Sequence, residues 1–310
     1  MSRESLFSDE EEQVARVIAA PLNHAKLKGL VQQRIQEDVD EYYWRGKISS
    51  LIMQGDFMSL LVEEDNCITW KSFIWSVPRG VVRFAVNAGL NTLPSADNLK
   101  RWGKRTSYLC TVCDLNRKQT LNHILSYCNA ALEQGRYTWR HNSVLRTIFD
   151  FLSPNLKAGY ELFADLDGLN AGNGGTIPPD VLVTNQRPDI FLVNRQLKKV
   201  VLFELTVPWD ANVGSSHDLK VRKYAPLVND LSHNFDVEVF CFEVSVRGQI
   251  SKINKARAKS FLWKVTGQKR PSAVKLITNI SRAALLGSFS IFSARNEASW
   301  NVGRDLSVNI

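Results

Sequence analysis

The sequence lacks any long uninterrupted run of apolar residues, although 44% of its 310 residues are apolar. Runs such as Val200–Phe203 are far shorter than the roughly 18 residues that a membrane-spanning helix needs. The first residues, MSRESLFSDEEEQ, contain no apolar core of the kind found in a signal peptide. We therefore expect a globular protein that does not enter a membrane and is not secreted, with a length that allows about two domains.

Cysteine is also scarce, because the chain has only five, an odd number. Cys110, Cys113 and Cys128 fall within nineteen residues of one another. Cys67 and Cys241 lie in apolar surroundings and are predicted to be ordinary core residues. This distribution disfavours a disulfide framework and favours a reduced compartment with a metal site.

Acidic residues are rare in two parts of the chain, and these parts hold all of the positive excess behind the net charge of +8. Residues 67–140 carry 11 basic and 3 acidic side chains, and residues 247–310 carry 12 and 2. The other two parts are net negative, with 7 basic and 13 acidic side chains in residues 1–66 and 9 basic and 13 acidic side chains in residues 141–246. Basic regions of this kind are typical of proteins that bind a phosphate backbone, although a solvated basic face gives the same count.

Apolar spacing predicts helices before about residue 152 and strands mixed with helices after it. The glycine- and proline-rich stretch 168–179 is the best loop candidate. Strands at 189–193 and 199–207 are predicted to form a hairpin, and a third strand is predicted at 237–244. The fold class is therefore α+β, with a helical region first and a small α/β domain after it. Helices are predicted over 9–62, 78–89, 96–102, 131–152, 216–229 and 249–264.

The cysteines form part of the motif Cys110-x2-Cys113-x9-His123-x4-Cys128. Three thiolates and one imidazole can complete a tetrahedral shell around Zn²⁺, which favours these donors. Since all four positions are filled by protein, such a site is structural. The alternative is a group of buried reduced cysteines with an unrelated histidine.

Two acids in the strand region suggest a second metal site. Fourteen residues separate Asp189 from Glu204, and a hairpin would bring both carboxylates to one edge of the sheet. Glu204 interrupts the apolar run VVLFELTV, where an acid is costly unless it is paired or bound to metal. Mg²⁺ could be shared by the two acids, with Lys220 on the next helix as the candidate cation. Two edge-strand acids that face solvent are the alternative.

Five segments resemble the C-terminal part of non-LTR (LINE-type) retrotransposon polyproteins that carry a restriction-enzyme-like endonuclease. The match includes CTVCDLNRKQTLNHILSYC as the CCHC zinc knuckle, and RPDIFLVN with VVLFELTVPWD as the PD-(D/E)xK nuclease core. The segments from Trp70 to Arg105 and from Gln134 to Leu145 flank the knuckle. One departure is Thr206, which stands where the motif usually has lysine; a lysine on the following helix, Lys220 rather than Lys223, would replace it.

The resemblance implies Mg²⁺-dependent nicking of DNA in the nucleus, with Asp189 and Glu204 as metal ligands. It also implies a helical linker over 1–105, the zinc knuckle and its helix over 106–150, and a nuclease domain with a basic tail over 151–310.

The adjacent aspartates of a reverse transcriptase are missing. We therefore expect DNA, and as a second candidate the element's RNA, as partners, with any polymerase supplied by another chain.

Two other functions remain open from the sequence. The chain could be a nucleic-acid-binding remnant of a retroelement without cleavage activity. It could also be a zinc-stabilised interaction module whose acidic segment 1–66 binds a protein.

Overall fold

The structure is a computed structural model in which the chain forms two compact units, residues 1–55 and residues 56–310. The domain boundaries expected after residues 105 and 150 stay predictions. The prediction for Cys67, and the parts of the long helical prediction that fall in 9–23 and 52–62, lie largely outside the described residues. The described residues are 24–51, 54–55, 57–58, 74–75, 77–113, 115–267 and 270–300.

The first unit contains helix α1, His24–Ser49, within the region predicted to be helical. Side chains one turn apart interact along its polar face, as Gln33 donates to Glu37 at 2.9 Å and Arg34 lies 3.5 Å from Asp38. Such pairs each stabilise a helix by a few tenths of a kcal/mol. The apolar side chains of α1 form an exposed stripe that consists of Leu27, Leu30, Val31, Ile35 and Val39.

The second unit begins, in its described part, with two short helices that the sequence predicted. Helix α2, Arg79–Gly89, starts after Pro78, which occupies the N-cap position rather than the first turn. Helix α3, Ala96–Arg101, is capped by Ser95, whose Oγ accepts a hydrogen bond from the Asn98 amide at 3.2 Å. A capping serine removes one unsatisfied amide at the helix start, so the start of α3 has a local cause.

The predicted helix at 131–152 is in fact two helices. Helix α4, Asn129–Glu133, ends before Gly135, and helix α5, Arg136–Leu152, begins after it. Gly135 has a φ of 69°, a left-handed conformation that glycine adopts without steric cost. The prediction of one continuous helix was therefore wrong at this glycine.

A mixed four-stranded sheet forms the centre of the second unit. Its strands lie in the order β1 (Glu161–Ala164), β2 (Ile190–Asn194), β3 (Lys199–Thr206) and β4 (Asp236–Glu243). The first two pairings are antiparallel and the last is parallel, which confirms the predicted hairpin and the later strand. The sequence analysis missed β1, because its four residues run directly into the acidic turn that follows.

Helices cover both faces of this sheet. Helix α6, Val213–Ser232, packs on one face through Tyr224, Leu227 and Leu231. Helices α5, α7 (Lys252–Thr266) and α8 (Arg270–Ser293) pack on the other face and enclose the larger core. The protein is therefore a mixed α+β protein, as predicted. All of β2 and the residues of β3 between Lys199 and Thr206 are buried between the two helical layers.

Helix α8 was not predicted, because the sequence analysis treated residues 247–310 mainly as a basic region. Its segment Ser272–Ser293 is long and apolar enough to cross a membrane, but 67% of its most apolar window is buried inside the protein. Leu285, Ile291 and Phe292 of this region pack against Leu121, Ile124 and Leu125 of the cysteine segment. Its apolar residues thus join the cysteine segment to the sheet.

Candidate metal centre and carboxylate site

The cysteine segment folds into a knuckle that positions its first two thiols. Leu109 and Lys118 form an isolated antiparallel bridge. The Cys110 amide donates to the Arg117 carbonyl at 2.9 Å, and the Gln119 amide donates to the Tyr108 carbonyl at 2.9 Å. These bonds close the loop between the two strands of the knuckle and turn Cys110 and Cys113 toward one point.

His123 and Cys128 are brought to the same point by a π-helix. The turn His123–Tyr127 is π-helical, and Cys128 follows directly after it. An α-helix advances about 100° per residue, so a separation of five residues would place the two side chains on different faces. The i to i+5 hydrogen bonds of a π-helix bring such residues onto one face. The predicted helical spacing is therefore realised, but in the wider helix.

The four side chains form one compact, buried donor set. Their ligand atoms all lie within 4.8 Å of one another, and Cys113 Sγ is 3.4 Å from His123 Nε2. Zn–S bonds of 2.3 Å in a tetrahedron place two sulfurs about 3.8 Å apart, so the set needs only a small contraction to bind Zn²⁺. The four residues Cys110, Cys113, His123 and Cys128 thus fit a structural zinc site.

The thiols influence one another as expected for ligands held close together. A hydrogen bond from the Cys128 thiol lowers the pKa of Cys110 to about 2. The same hydrogen bond raises the pKa of Cys128, and burial raises the pKa of Cys113. Zinc binding replaces thiol protons, so this arrangement already favours one thiolate before the metal binds. The side-chain carboxamide nitrogen of Gln119, Nε2, also lies 3.9 Å from Cys110 Sγ, as an outer contact that orients the ligand.

A basic face with an aromatic centre surrounds this knuckle. The amines of Lys100 and Lys118 lie over the ring of Tyr108, at 4.3 Å and 5.3 Å from its centroid. Lys104 and Arg117 are exposed beside them, and Trp102 is also exposed. Cations with exposed aromatic rings provide both the charge and the flat apolar surface that nucleic acids bind.

Comparison with known proteins identifies this part of the chain. Residues 56–134 match the family described as zinc-binding in reverse transcriptase. No curated protein matches the chain. The chain therefore contains a zinc-binding domain of the reverse-transcriptase, or retroelement, type, and the matched range includes all four candidate ligands. A domain of this type indicates a function related to nucleic acids.

Asp189 and Glu204 lie opposite each other on neighbouring strands. Ile190 pairs with Phe203 in the β2–β3 register, so the next pair along the strands is Asp189 with Glu204. The Asp189 amide donates to Glu204 Oε2 at 3.2 Å, and the Leu205 amide donates to Asp189 Oδ2 at 2.7 Å. Both acids are buried, with 7% and 2% of their surface exposed, so neither is a solvent-facing edge residue.

Lys220 contacts Glu204 from helix α6. Its Nζ donates to Glu204 Oε1 and forms an ion pair with it. Lys223, the other lysine considered, instead donates to the Tyr224 hydroxyl at 2.9 Å. Glu204 thus contacts both Asp189 and Lys220, while the catalytic and metal-binding roles predicted for the three residues stay predictions.

The pKa of Glu204 reflects this crowded site. Burial is the largest cause and raises the pKa of Glu204, and the negative charge of Asp189 raises it further. The Lys220 ammonium partly opposes both effects. Tyr224, whose hydroxyl donates to the Arg187 carbonyl at 2.9 Å, has a raised pKa through burial and the charge of Glu204. Bringing a cation to the two acids would relieve their repulsion.

His141 is a neighbour of this site that the sequence analysis did not single out. Its Nε2 lies 3.3 Å from Asp189 Oδ2 and 3.3 Å from the Leu205 carbonyl. Burial alone would lower the pKa of His141, but the hydrogen bond and charge of Asp189 outweigh it and raise the pKa to about 9. The only sequence signal was its position inside the QGRYTWRHNSVL segment, which was noted for its resemblance alone.

Another buried acid, Glu243, lies on β4 opposite Thr206. Its Oε1 is 2.9 Å from His217 Nδ1 and its Oε2 is 3.8 Å from Arg257 Nη1. The sequence analysis missed this cluster because its members come from β4, α6 and α7, with no shared spacing.

Two further acids of the second unit, Asp165 and Glu161, are paired with arginine. Asp165 contacts Arg187, and Glu161 lies 2.6 Å from Arg195. Within the described ranges, the Cys110–Cys128 group is the one cluster of three or more potential metal-binding side chains. The carboxylate site accordingly offers two protein ligands, Asp189 and Glu204.

Proposed function

We infer that the chain is a Mg²⁺-dependent DNA endonuclease of a retroelement, which nicks DNA through a restriction-enzyme-like (PD-(D/E)xK) domain in residues 151–310. The proposal rests on one observation, the buried pair of Asp189 and Glu204 with the Lys220 amine against Glu204. A mixed sheet between two helical layers and a zinc-binding domain of the reverse-transcriptase type are consistent with it.

The two acids suit Mg²⁺ by their chemistry. Proteins hold this ion through one or two carboxylates, while water and phosphate oxygens complete its octahedral shell. Asp189 Oδ2 accepts the Leu205 amide, and among the described residues no hydrogen bond engages Oδ1. Glu204 Oε1 is held by Lys220, so this ion pair has to loosen before Glu204 can contact a cation.

Each side chain then has a role that follows from its contacts. Bound Mg²⁺ would polarise a phosphoryl oxygen and activate water for in-line attack. Asp189 and Glu204 hold the cation, and Lys220 places positive charge where negative charge develops on the phosphate. His141 orients the Asp189 carboxylate through Oδ2 and so acts as a positioning residue.

The zinc-binding domain would bind the nucleic acid without reading its sequence. The cations around Tyr108 are suited to phosphate contacts, which position a strand but do not distinguish its bases. We propose DNA as the substrate, the element's RNA as a second ligand, the nucleus as the site of action, and a reverse transcriptase supplied by another chain.

A second candidate function is a nucleic-acid-binding remnant without cleavage. Two observations favour it. Both carboxylate oxygens of Glu204 already accept hydrogen bonds, from the Asp189 amide and from Lys220, and Thr206 stands where the PD-(D/E)xK motif usually has lysine. In this case the Glu204–Lys220 pair would only satisfy a buried charge, as buried ion pairs commonly do.

Nicking of supercoiled plasmid by the full chain in Mg²⁺ tests the proposal. We expect nicking by the wild type, and at least about a hundred-fold slower nicking by Asp189→Asn and Glu204→Gln, because each removes a charge that holds the metal. Lys220→Met should be comparably impaired, whereas the matched variant Lys223→Met should retain activity. DNA binding by all four variants should stay within about two-fold of the wild type.

Three outcomes would contradict the proposal. Equal nicking by the wild type and Asp189→Asn would rule out the assigned site. Binding of DNA without metal-dependent nicking by the wild type would favour the remnant, and a protein that binds neither DNA nor RNA in a salt-sensitive manner would favour the interaction module.

A further inference from the structure

A pocket of about 240 Å³ lies between helices α5 and α8, and the function proposed above does not use it. Trp139, Ser143 and Thr147 line it from α5, and Asn279 and Arg282 line it from α8. His141 is two residues from Trp139, which places the two side chains about 160° apart around the helix. The pocket therefore opens on the side of α5 that faces away from Asp189.

The polar groups of this pocket have unused hydrogen-bonding capacity. Arg282 Nε is buried and has no hydrogen-bond partner, and in the described part of the chain the Asn279 carboxamide makes no hydrogen bond. Ser143 Oγ donates to the Trp139 carbonyl at 2.8 Å, and Thr147 Oγ1 donates to the Ser143 carbonyl at 3.0 Å. Both hydroxyl protons are used, so the oxygens remain as acceptors.

The charge of the pocket selects for an anion. Among the described residues that line it there is a guanidinium but no aspartate or glutamate. An unpaired buried donor on a cation is costly, and a phosphate oxygen would satisfy it with a charge-assisted hydrogen bond. Asn279 provides both a donor and an acceptor beside this cation, as a base edge requires.

The aromatic wall and the size of the pocket select for a single ring system. Trp300 packs edge-on against Trp139, with ring centroids 5.4 Å apart and an interplanar angle of 68°, so the Trp139 ring is held in place. A cavity of about 150 Å³ is known to hold benzene, and pockets for drug-sized ligands begin near 300 Å³. The observed volume lies between these values and suits one nucleobase.

We propose that this pocket binds one unpaired nucleotide of a nucleic-acid strand, with the base against Trp139 and its phosphate at Arg282. The nucleotide chemistry follows from the pocket itself. The choice of a strand rather than a free nucleotide rests on the nucleic-acid binding proposed above. The inference does not depend on cleavage at Asp189 and Glu204.

Binding of a short single-stranded DNA that carries one fluorescent adenine analogue tests this inference in the full chain. We expect the wild type to quench the analogue, because stacking on an indole quenches it. Trp139→Leu and Arg282→Gln should each weaken binding by at least about five-fold, the smallest effect expected of one stacked base, and should abolish quenching. Trp139→Phe keeps an aromatic surface and should retain binding.

Lys275→Gln is the matched control. Lys275 lies two helical turns before Arg282 on α8, is exposed and does not line the pocket, so this variant removes the same charge without altering the pocket. We expect its binding to stay within about two-fold of the wild type. Trp139 and Arg282 are both only partly buried, and circular-dichroism melting of each variant checks that the fold is intact.

Equal losses in Arg282→Gln and Lys275→Gln, or unchanged quenching in Trp139→Leu, would overturn the inference. Adenosine monophosphate bound as tightly as the strand, with the same loss in Arg282→Gln, would keep the nucleotide pocket but reject the strand as its ligand. Because Asp189→Asn should lose nicking but keep binding and quenching, failure of the pocket and failure of the nuclease can be told apart.

Discussion

At the residue scale, Glu204 shows why an acid can be predicted to need a partner from its neighbours alone. An acid within VVLFELTV has to be buried if the strand is buried, and burial of a carboxylate is unfavourable without a partner. Lys220 provides that partner in the structure. His141 had no such signal, because a histidine on an amphipathic helix is equally well placed in a core.

The His141–Asp189 contact predicts a specific pH dependence of stability. The pKa of His141 is raised from 6.5 to about 9, so its contribution is complete below pH 6.5 and is lost as pH rises through about 9. We expect the wild type to lose about 1–3 kcal/mol of unfolding free energy over this range, after allowance for partial exposure of the ring. Urea unfolding in Mg²⁺-free buffer measures it.

His141→Gln is the control for this measurement, since glutamine can still donate to Asp189 but does not titrate in this range. Subtracting its profile removes the contribution of other groups. If both proteins lose the same unfolding free energy between pH 6.5 and 9, the interaction is not the one described.

At the scale of elements, the four zinc ligands show how a spacing becomes a site. The motif predicted that the residues would meet, and the matched family and the compact donor set agree with this. The spacing did not indicate a π-helix at His123–Tyr127, since an isolated chain does not favour this geometry. The zinc ligands and the packing of Ile124 and Leu125 under α8 select it.

Removal of the metal should destabilise the second unit. We expect purified wild-type protein to contain one zinc ion per chain, and Cys113→Ser to lose the metal together with about 3–5 kcal/mol of unfolding free energy. Metal analysis and chemical unfolding measure the two effects. Cys241→Ser changes a buried thiol outside the cluster and should retain zinc. If Cys113→Ser also retains zinc, the assigned site is wrong.

Packing between α5 and α8 leads to a second prediction at this scale. A Cβ on Gly287 would lie 2.6 Å from Cγ of Arg140, whose guanidinium is held by the Leu125 carbonyl at 3.0 Å and Ser288 Oγ at 3.1 Å. Because Arg140 has no free space, Gly287→Ala should cost about 1–3 kcal/mol of unfolding free energy.

Gly214 provides the matched control, since it is also helical and a Cβ there meets nothing within 4 Å. Gly214→Ala should be neutral or should stabilise the protein by up to about 1 kcal/mol. Denaturant unfolding of both variants tests the pair, and equal stability of Gly287→Ala and the wild type would contradict tight packing at this point.

At the scale of the whole molecule, charge is separated along the chain in a way that composition revealed. The basic region around the cysteines forms an exposed face, whereas the basic C-terminal region contains α7 and the largely buried α8. A count of charges does not distinguish an exposed basic face from a basic region that contains a buried helix, because the apolar residues of α8 alternate with its few cations. The zinc-binding segment and the sheet belong to one compact unit.

Salt dependence of DNA binding tests the role of the exposed basic face. Lys118→Gln removes a cation beside Tyr108 and should weaken binding across all DNA sequences, with a salt slope reduced by about 1. Lys28→Gln removes a charge from α1, in the other unit, and should leave the slope unchanged. Titration of DNA binding against salt concentration measures both slopes. Equal slopes for Lys118→Gln and Lys28→Gln would show that the face around Tyr108 does not bind DNA.

The sequence by itself determined the α+β class, the hairpin of β2 and β3 and the zinc ligands, and it indicated that Glu204 needs a partner, because each follows from local spacing or from the cost of burying a charge. Only the tertiary structure decided the π-helix, the central place of α8 and the contact of His141 with Asp189. These features depend on groups far apart in the chain that compete for the same buried space, and no local pattern records which of them meet.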